Sequence, residues 1–310
     1  MARYYPEGKI INSAYNLKLI GTKEGLESAY RSGEVLEAIA KTCDEAHNIT
    51  VDLGDIKGII PRNEGAIGIR EEKVRDIALI SRVGKPVCFT VSGFCEDENG
   101  KPTAMLSRLN AQVKCQSEYI KHLSPGDIID AKITHLENFG AFCDIGCGVI
   151  ALLPIDSISV SRINHPSDRF KVGQNIKAAV KSRDAAGRIT LTLKELLGSW
   201  EENAALFSQG QTVSGVIRSV EDYGVFVELT PNLAGLAEPK ENVFPGQTAS
   251  VYIKSLIPEK MKVKLIIIDA FSEFSFSPEL KYFYDVSKME RWQYSPSFST
   301  KSVFTDFSEL

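Results

Sequence analysis

An internal repeat constrains this chain more than any other feature. The stretch Pro125-Gly126-Asp127-Ile128-Ile129-Asp130-Ala131-Lys132-Ile133-Thr134 aligns with Gln209-Gly210-Gln211-Thr212-Val213-Ser214-Gly215-Val216-Ile217-Arg218. The match continues without a gap from Glu137-Asn138-Phe139-Gly140-Ala141-Phe142-Cys143-Asp144-Ile145 to Glu221-Asp222-Tyr223-Gly224-Val225-Phe226-Val227-Glu228-Leu229. Phe170-Lys171-Val172-Gly173-Gln174 then matches Val243-Phe244-Pro245-Gly246-Gln247, and each copy goes on to two β-rich stretches, 176–180 and 188–193 against 249–253 and 262–267. A fainter copy begins at Gly33, with pieces at 34–40, 49–54, 58–61 and 83–87. A chain built this way folds as consecutive copies of one small unit.

Within a copy, Ile129, Ala131 and Ile133 alternate with Asp130, Lys132 and Thr134, the period of a half-buried strand. Five such stretches per copy, separated by glycine turns, point to a small closed barrel of the oligonucleotide-binding (OB) type. The expected fold is therefore mainly β: three tandem five-stranded OB barrels joined by short helices, plus an aromatic-rich C-terminal extension. The expected boundaries are a leader with one short helix over 1–32, a degenerate barrel over 33–118, barrels over 119–200 and 201–268, and the extension over 269–310. Ser199 and Glu202, three apart, have the spacing of a capping box opening the helix before the last copy.

Composition narrows the function. The net charge of −4 and pI near 5.7 argue against a whole-surface binder of duplex DNA, but not against a local groove for single strands. No apolar run approaches membrane-spanning length, and the N-terminal residues lack a signal pattern, so a cytoplasmic protein is expected. The six cysteines are too scattered for a disulfide framework and are read as reduced thiols; Cys143 and Cys147 lack further ligands nearby for a metal. With no glycine-rich phosphate loop, metal-ligand cluster or Ser/His/Asp set, neither cofactor nor catalysis is expected.

The informative side chains are Phe139 and Phe142 around Gly140, and Tyr223 and Phe226 around Gly224. Strict alternation puts residues three apart on opposite faces; a bulge at the glycine would return both rings to one side. Ala141, Cys143 and Ile145, like Val225, Val227 and Leu229, would then fill the core. The rings would stay outside, beside Lys132 in one copy and Arg218 in the other. Exposed rings near cations suit single-stranded nucleic acid, whose bases stack while its phosphates are neutralised. The alternative is that they are ordinary core aromatics.

At these residues the chain resembles the ribosomal S1 domain, an RNA-binding barrel. Residues 124–197 carry the pattern through Gly126-Asp127, Phe139-Gly140-Ala141-Phe142, Val172-Gly173-Gln174 and Asp184-Ala185-Ala186-Gly187-Arg188, and residues 210–267 through Tyr223-Gly224-Val225-Phe226 and Gly235-Leu236. The resemblance implies an RNA face made of the two aromatics, a following histidine, and an Asp–Arg pair on the closing hairpin. By position, the second copy supplies Phe139, Phe142, Asp184 and Arg188. Pro154 and, in the third copy, Glu238 stand at the histidine position, and the third copy offers Lys260 and Lys262 in place of the Asp–Arg pair. The first copy has Ala46-His47-Asn48 where rings belong, so little RNA affinity is expected of it.

Two segments stay open on sequence alone. The stretch 161–170 could lay Arg162, His165 and Arg169 along an RNA backbone, or form a short helix covering the barrel bottom with its charges solvated. The extension holds Phe271, Phe274, Phe276, Tyr282, Phe283, Tyr284, Trp292, Tyr294 and Phe298, too many rings for a disordered tail. Packing against the last barrel is expected, with a protein-docking surface or added stacking platform as the alternative. The resulting expectation is binding of single-stranded messenger or ribosomal RNA in translation or ribosome-associated RNA handling, with the ribosome or another protein as partner of the extension. The competing reading is a protein scaffold in which RNA contact is vestigial.

Overall fold

The computed structural model describes residues 4–54, 56–97, 100–272 and 278–309. They divide into two compact units, the first made of residues up to 123 with 130–132 and 144–150, the second of the remainder.

In the first unit the leader folds into two helices, α1 (Ala14–Ile20) and α2 (Lys23–Ser32), instead of one. The hydroxyls of Ser13 and Thr22 cap their N-termini, and Gly33, at φ 66°, closes α2 in the left-handed conformation that glycine adopts without strain. Strands β1 (Leu36–Cys43), β2 (Ile49–Leu53), β3 (Ile56–Ile60), β4 (Pro86–Glu96) and β5 (Pro102–Ser107) close in the order β1-β2-β3-β5-β4, with α3 (Ile77–Ile80) before β4 and α4 (Arg108–Glu118) after β5. Leu26, Leu36, Ile49, Val51, Phe89 and Leu106 fill the core.

This unit also buries charge. Glu7 accepts from the Arg108 guanidinium at 2.7 and 3.0 Å, while Asp144 accepts the Glu7 N–H at 2.7 Å and those of Gly146 and Gly148 at 2.9 Å. Glu37, 1% exposed, accepts backbone N–H groups such as that of Ile10, at 3.1 Å; burial, with Glu7 and Asp144 nearby, pushes its carboxyl up to about 7. Between the ordinary glutamate value and about 7, the folded chain holds a proton that the unfolded chain has released, so stability falls as pH rises through that window. Thermal melting at pH 5 and pH 8 should show a smaller fall for Glu37→Gln than for the unsubstituted chain. Equal falls would assign the pH dependence elsewhere.

The middle barrel consists of β6 (Ile128–Glu137), β7 (Gly140–Asp144), β8 (Ile150–Pro154), β9 (Asn175–Arg183) and β10 (Ile189–Thr192). After α5 (Trp200–Ala204), the last barrel follows as β11 (Thr212–Glu221), β12 (Gly224–Thr230), β13 (Leu233–Ala237), β14 (Thr248–Ile257) and β15 (Lys262–Phe271). Both close as first-second-third-fifth-fourth, with the third and fifth strands parallel, and the faint first copy has the same topology. Ala141, Cys143, Ile145, Val225, Val227 and Leu229 are all buried, as alternation requires. Ser199 and Glu202 form the capping box of α5.

Within the second unit the middle and last barrels are joined by buried polar groups. Arg169 meets Glu228 at 2.6 Å with neither side chain exposed; Arg218 bonds the other Glu228 oxygen and lies 3.4 Å from Asp168. The Asn232 amide donates to the Lys194 and Gly198 carbonyls at 2.8 Å and accepts the Val160 N–H at 3.0 Å. One expectation fails here, and one alternative left open is decided. Arg169 and Arg218 are not RNA-facing cations, because both are spent on Glu228 inside the molecule. The segment 161–170 takes the covering form, with a single 3₁₀ turn at Pro166–Asp168 and Phe170 buried.

Residues 278–309 run as a strap over this unit. The Tyr282 hydroxyl accepts the Lys177 N–H, the Phe283 N–H donates to Leu196, and the Tyr284 hydroxyl donates to Glu202 at 2.6 Å. Met289 donates to the Gly126 carbonyl at 2.9 Å, and a Cβ at Gly126 would lie 2.0 Å from the Met289 oxygen. A hairpin of β16 (Arg291–Gln293) and β17 (Phe304–Asp306) then buries Trp292 and Tyr294, whose hydroxyl donates to the Asn232 carbonyl. The aromatic tail is thus packed, on the middle barrel and α5 as well as on the last barrel. Phe271 ends β15 partly exposed, and Phe274 and Phe276 lie outside the described residues. Among the described residues no helix is long and apolar enough to cross a membrane.

Candidate nucleic-acid interface

The ring pairs come together by a route other than a bulge at glycine. Asn138-Phe139 and Asp222-Tyr223 are two-residue turns, so Phe139 and Tyr223 stand before the strands that carry Phe142 and Phe226 and escape their alternation. Ring centroids lie 5.9 Å apart in one pair and 6.2 Å in the other, both edge to face. In the last barrel the register shift falls opposite, between Ile217 and Ser219. The glycines serve close packing: a Cβ at Gly140 would lie 2.5 Å from the Leu153 oxygen, and one at Gly224 2.5 Å from the Ala237 oxygen. Phe139 is 55% and Tyr223 66% exposed, which rules out the core reading for the leading rings.

On the middle barrel the Thr134 hydroxyl donates to the Phe142 carbonyl, and the exposed His135 ring stacks against Phe142 at 6.3 Å and 25°. His135 reaches Glu137 at 2.7 Å. Sequence reasoning missed this imidazole, although counting back from the two-residue turn sets position 135 opposite 142. Asp184 and Arg188 pair at 2.6 Å on the β9–β10 hairpin, and the Arg188 N–H and guanidinium hold the Asp184 carboxyl below its ordinary value. Lys132 is elsewhere: its ammonium donates to the Glu7 carbonyl at 2.8 Å, because it lies in the first half of β6, away from the turn that carries Phe139.

The last barrel holds a groove of about 540 Å³ lined by Tyr223, Phe226, Leu236, Met261 and Lys262, with Lys254 and Lys264 as further cations. The rungs Ser219–Phe226, Phe226–Leu236 and Leu236–Lys264 carry the sheet from ring to ammonium. Glu238 also lines the groove, neutralised by Lys254 at 3.1 Å. Lys262 is in the lining as expected; Lys260 sits on the adjoining turn, exposed. Lys254 and Lys264 were missed, though outward alternation along β14 and β15 marks both. On the first barrel the corresponding region is taken up by contacts of Asp76 with Arg62 at 2.6 Å and His47 at 3.6 Å.

Residues 123–194 match the family described as the S1 RNA binding domain. The middle barrel is an S1 domain. Curated relatives extend the likeness: small ribosomal subunit protein bS1 of Rhizobium meliloti is 27% identical over 77% of this chain and 44% of its own length. The bS1 homolog of Bacillus subtilis is 28% identical over 78% of this chain and 65% of its own length, and bS1 of Staphylococcus saprophyticus 32% identical over 51% and 43%. The chain thus spans about half to two thirds of the length of these relatives. Among solved structures, a multidomain protein with nucleic acid binding domains from Streptococcus pneumoniae covers 76% of this chain and 73% of its own at 14% identity and a TM-score of 0.26.

On the S1 domain, then, Phe139 and Phe142 are brought together, and Asp184 pairs with Arg188. Arg162 is exposed, while the His165 ring caps its own 3₁₀ turn by accepting the Ser167 N–H at 3.1 Å. None of the six cysteines is disulfide-bonded, and the described residues hold no cluster of three or more metal-ligating side chains.

Proposed function

We propose that this protein binds single-stranded RNA through the ring faces of its middle and last barrels. The observation that carries the reading is the turn-borne ring pair, repeated on two barrels. Each pair has charged side chains on the same barrel: Asp184 with Arg188 on one, Lys254, Lys262 and Lys264 on the other. Rings accept any base, and cations follow the phosphates, so recognition is tolerant of sequence. Each face holds few contacts and binds modestly; joining the two raises the total. The S1 match and the bS1 relatives support placing this activity at ribosome-associated or messenger RNA in the cytoplasm. The role proposed is exerted by binding, without catalysis.

The test is anisotropy of a labelled single-stranded RNA, and of a duplex of equal length, at two salt concentrations. Single-strand binding that weakens with salt and exceeds duplex binding about tenfold is expected, because paired bases cannot reach the rings. Equal binding of both forms, or none, would leave the rings without this role and favour a protein partner.

A further inference from the structure

Phe298 repeats the device seen at Phe139 and Tyr223. The Ser299 N–H donates to the Pro296 carbonyl at 3.0 Å, closing a tight turn with Phe298 at its tip, 57% exposed. That turn is anchored from both sides. Ser295 and Pro296 before it are buried, and after it the Ser299 hydroxyl and the Thr300 N–H donate to the Glu259 carbonyl at 3.2 and 3.1 Å. Glu259 belongs to the Pro258–Lys260 turn between β14 and β15, and the next two residues, Met261 and Lys262, line the groove of the last barrel.

We propose that the strap lengthens this groove, with Phe298 as a third stacking ring and Lys301 as a phosphate contact for the same single-stranded RNA. The inference rests on the RNA reading above. A solitary exposed ring is ordinary on a protein surface. What distinguishes Phe298 is its fastening, through the Ser299 hydroxyl and the Thr300 N–H, to the turn that leads into Met261 and Lys262 at the groove. Charge agrees: Lys260, Lys262 and Lys264 follow Glu259 in the chain, Lys301 follows the Thr300 that is bonded to it, and Glu238 is matched by Lys254. A ring held in place before the ligand arrives loses little freedom on stacking.

The test uses the full chain, a fluorescein-labelled single-stranded RNA of mixed sequence, and the variants Phe298→Ala and Phe298→Trp. Phe298→Ala is expected to bind about five- to twentyfold more weakly with an unchanged melting temperature, and Phe298→Trp to retain affinity. RNA carrying 4-thiouridine should crosslink to the peptide containing Phe298. If the unsubstituted chain binds RNA and Phe298→Ala binds equally well, the groove ends at Met261 and this proposal falls alone, leaving the ring to a protein partner. If the unsubstituted chain binds no single-stranded RNA, the RNA reading falls and takes this one with it.

Discussion

Replacing Glu228 by alanine should destabilise the second unit by about 3–5 kcal/mol, the usual cost of removing one partner from a buried ion pair. Glu228 and Arg169 are unexposed and Arg218 nearly so. With the carboxylate gone, Arg218 still has Asp168 at 3.4 Å, but Arg169 keeps two long hydrogen bonds and no anion in contact: to the Ser159 hydroxyl and the Asp168 carbonyl, both at 3.4 Å. Burial already pulls the Arg169 guanidinium below its ordinary value despite Glu228, so its isolation is the dominant loss. Urea unfolding followed by hydrogen exchange should show protection falling first where the middle and last barrels meet, around Val160, Ser161 and Asn232, while the first unit is unaffected. A transition unchanged in midpoint would mean that packing alone joins the two barrels.

The second large effect concerns affinity. Phe139→Ala combined with Tyr223→Ala removes the most exposed ring of each pair and no core contact, so the fold should survive. Each stacked base contributes about 1–3 kcal/mol; even the lower figure on both barrels predicts binding weakened about thirtyfold. Each lost ring also leaves Phe142 or Phe226 without its edge-to-face neighbour. Anisotropy gives the affinity, and a melting curve guards against a folding defect. Affinity within about twofold of the parent chain would remove both ring pairs from the binding face.

Much of this was legible in the sequence, because a repeat displays its own alternation several times. The buried series Ala141, Cys143, Ile145 and its counterpart Val225, Val227, Leu229 follow from local period alone. The rings of each pair do come together outside the core, but for a different reason: the leading ring belongs to a turn, and the glycine makes room for a carbonyl across the sheet. Cations were the weak point. Arg169 and Lys132 find their partners in Glu228 and the Glu7 carbonyl, residues remote in sequence, and no local pattern records such a meeting; Arg218 meets the same Glu228 across the β11–β12 hairpin. His135 escaped notice because the family places its imidazole on the third strand, where this chain has Pro154, whereas here it rises from the first.

The strap has a consequence for the order in which the protein is made. The Gly126 carbonyl and the Ile128 N–H, at the very start of the middle barrel, find their partners in Met289 and Ser287. A ribosome will have released the whole middle barrel from its exit tunnel long before those two residues are translated. The first unit's leader, barrel and α4 are complete early, apart from the short pieces at 130–132 and 144–150, whereas the second unit waits for Ser287 and Met289. Contacts this distant in sequence close slowly. During synthesis, then, the nascent middle barrel carries an unsealed edge, and shortening the chain from its C-terminus should expose that edge permanently.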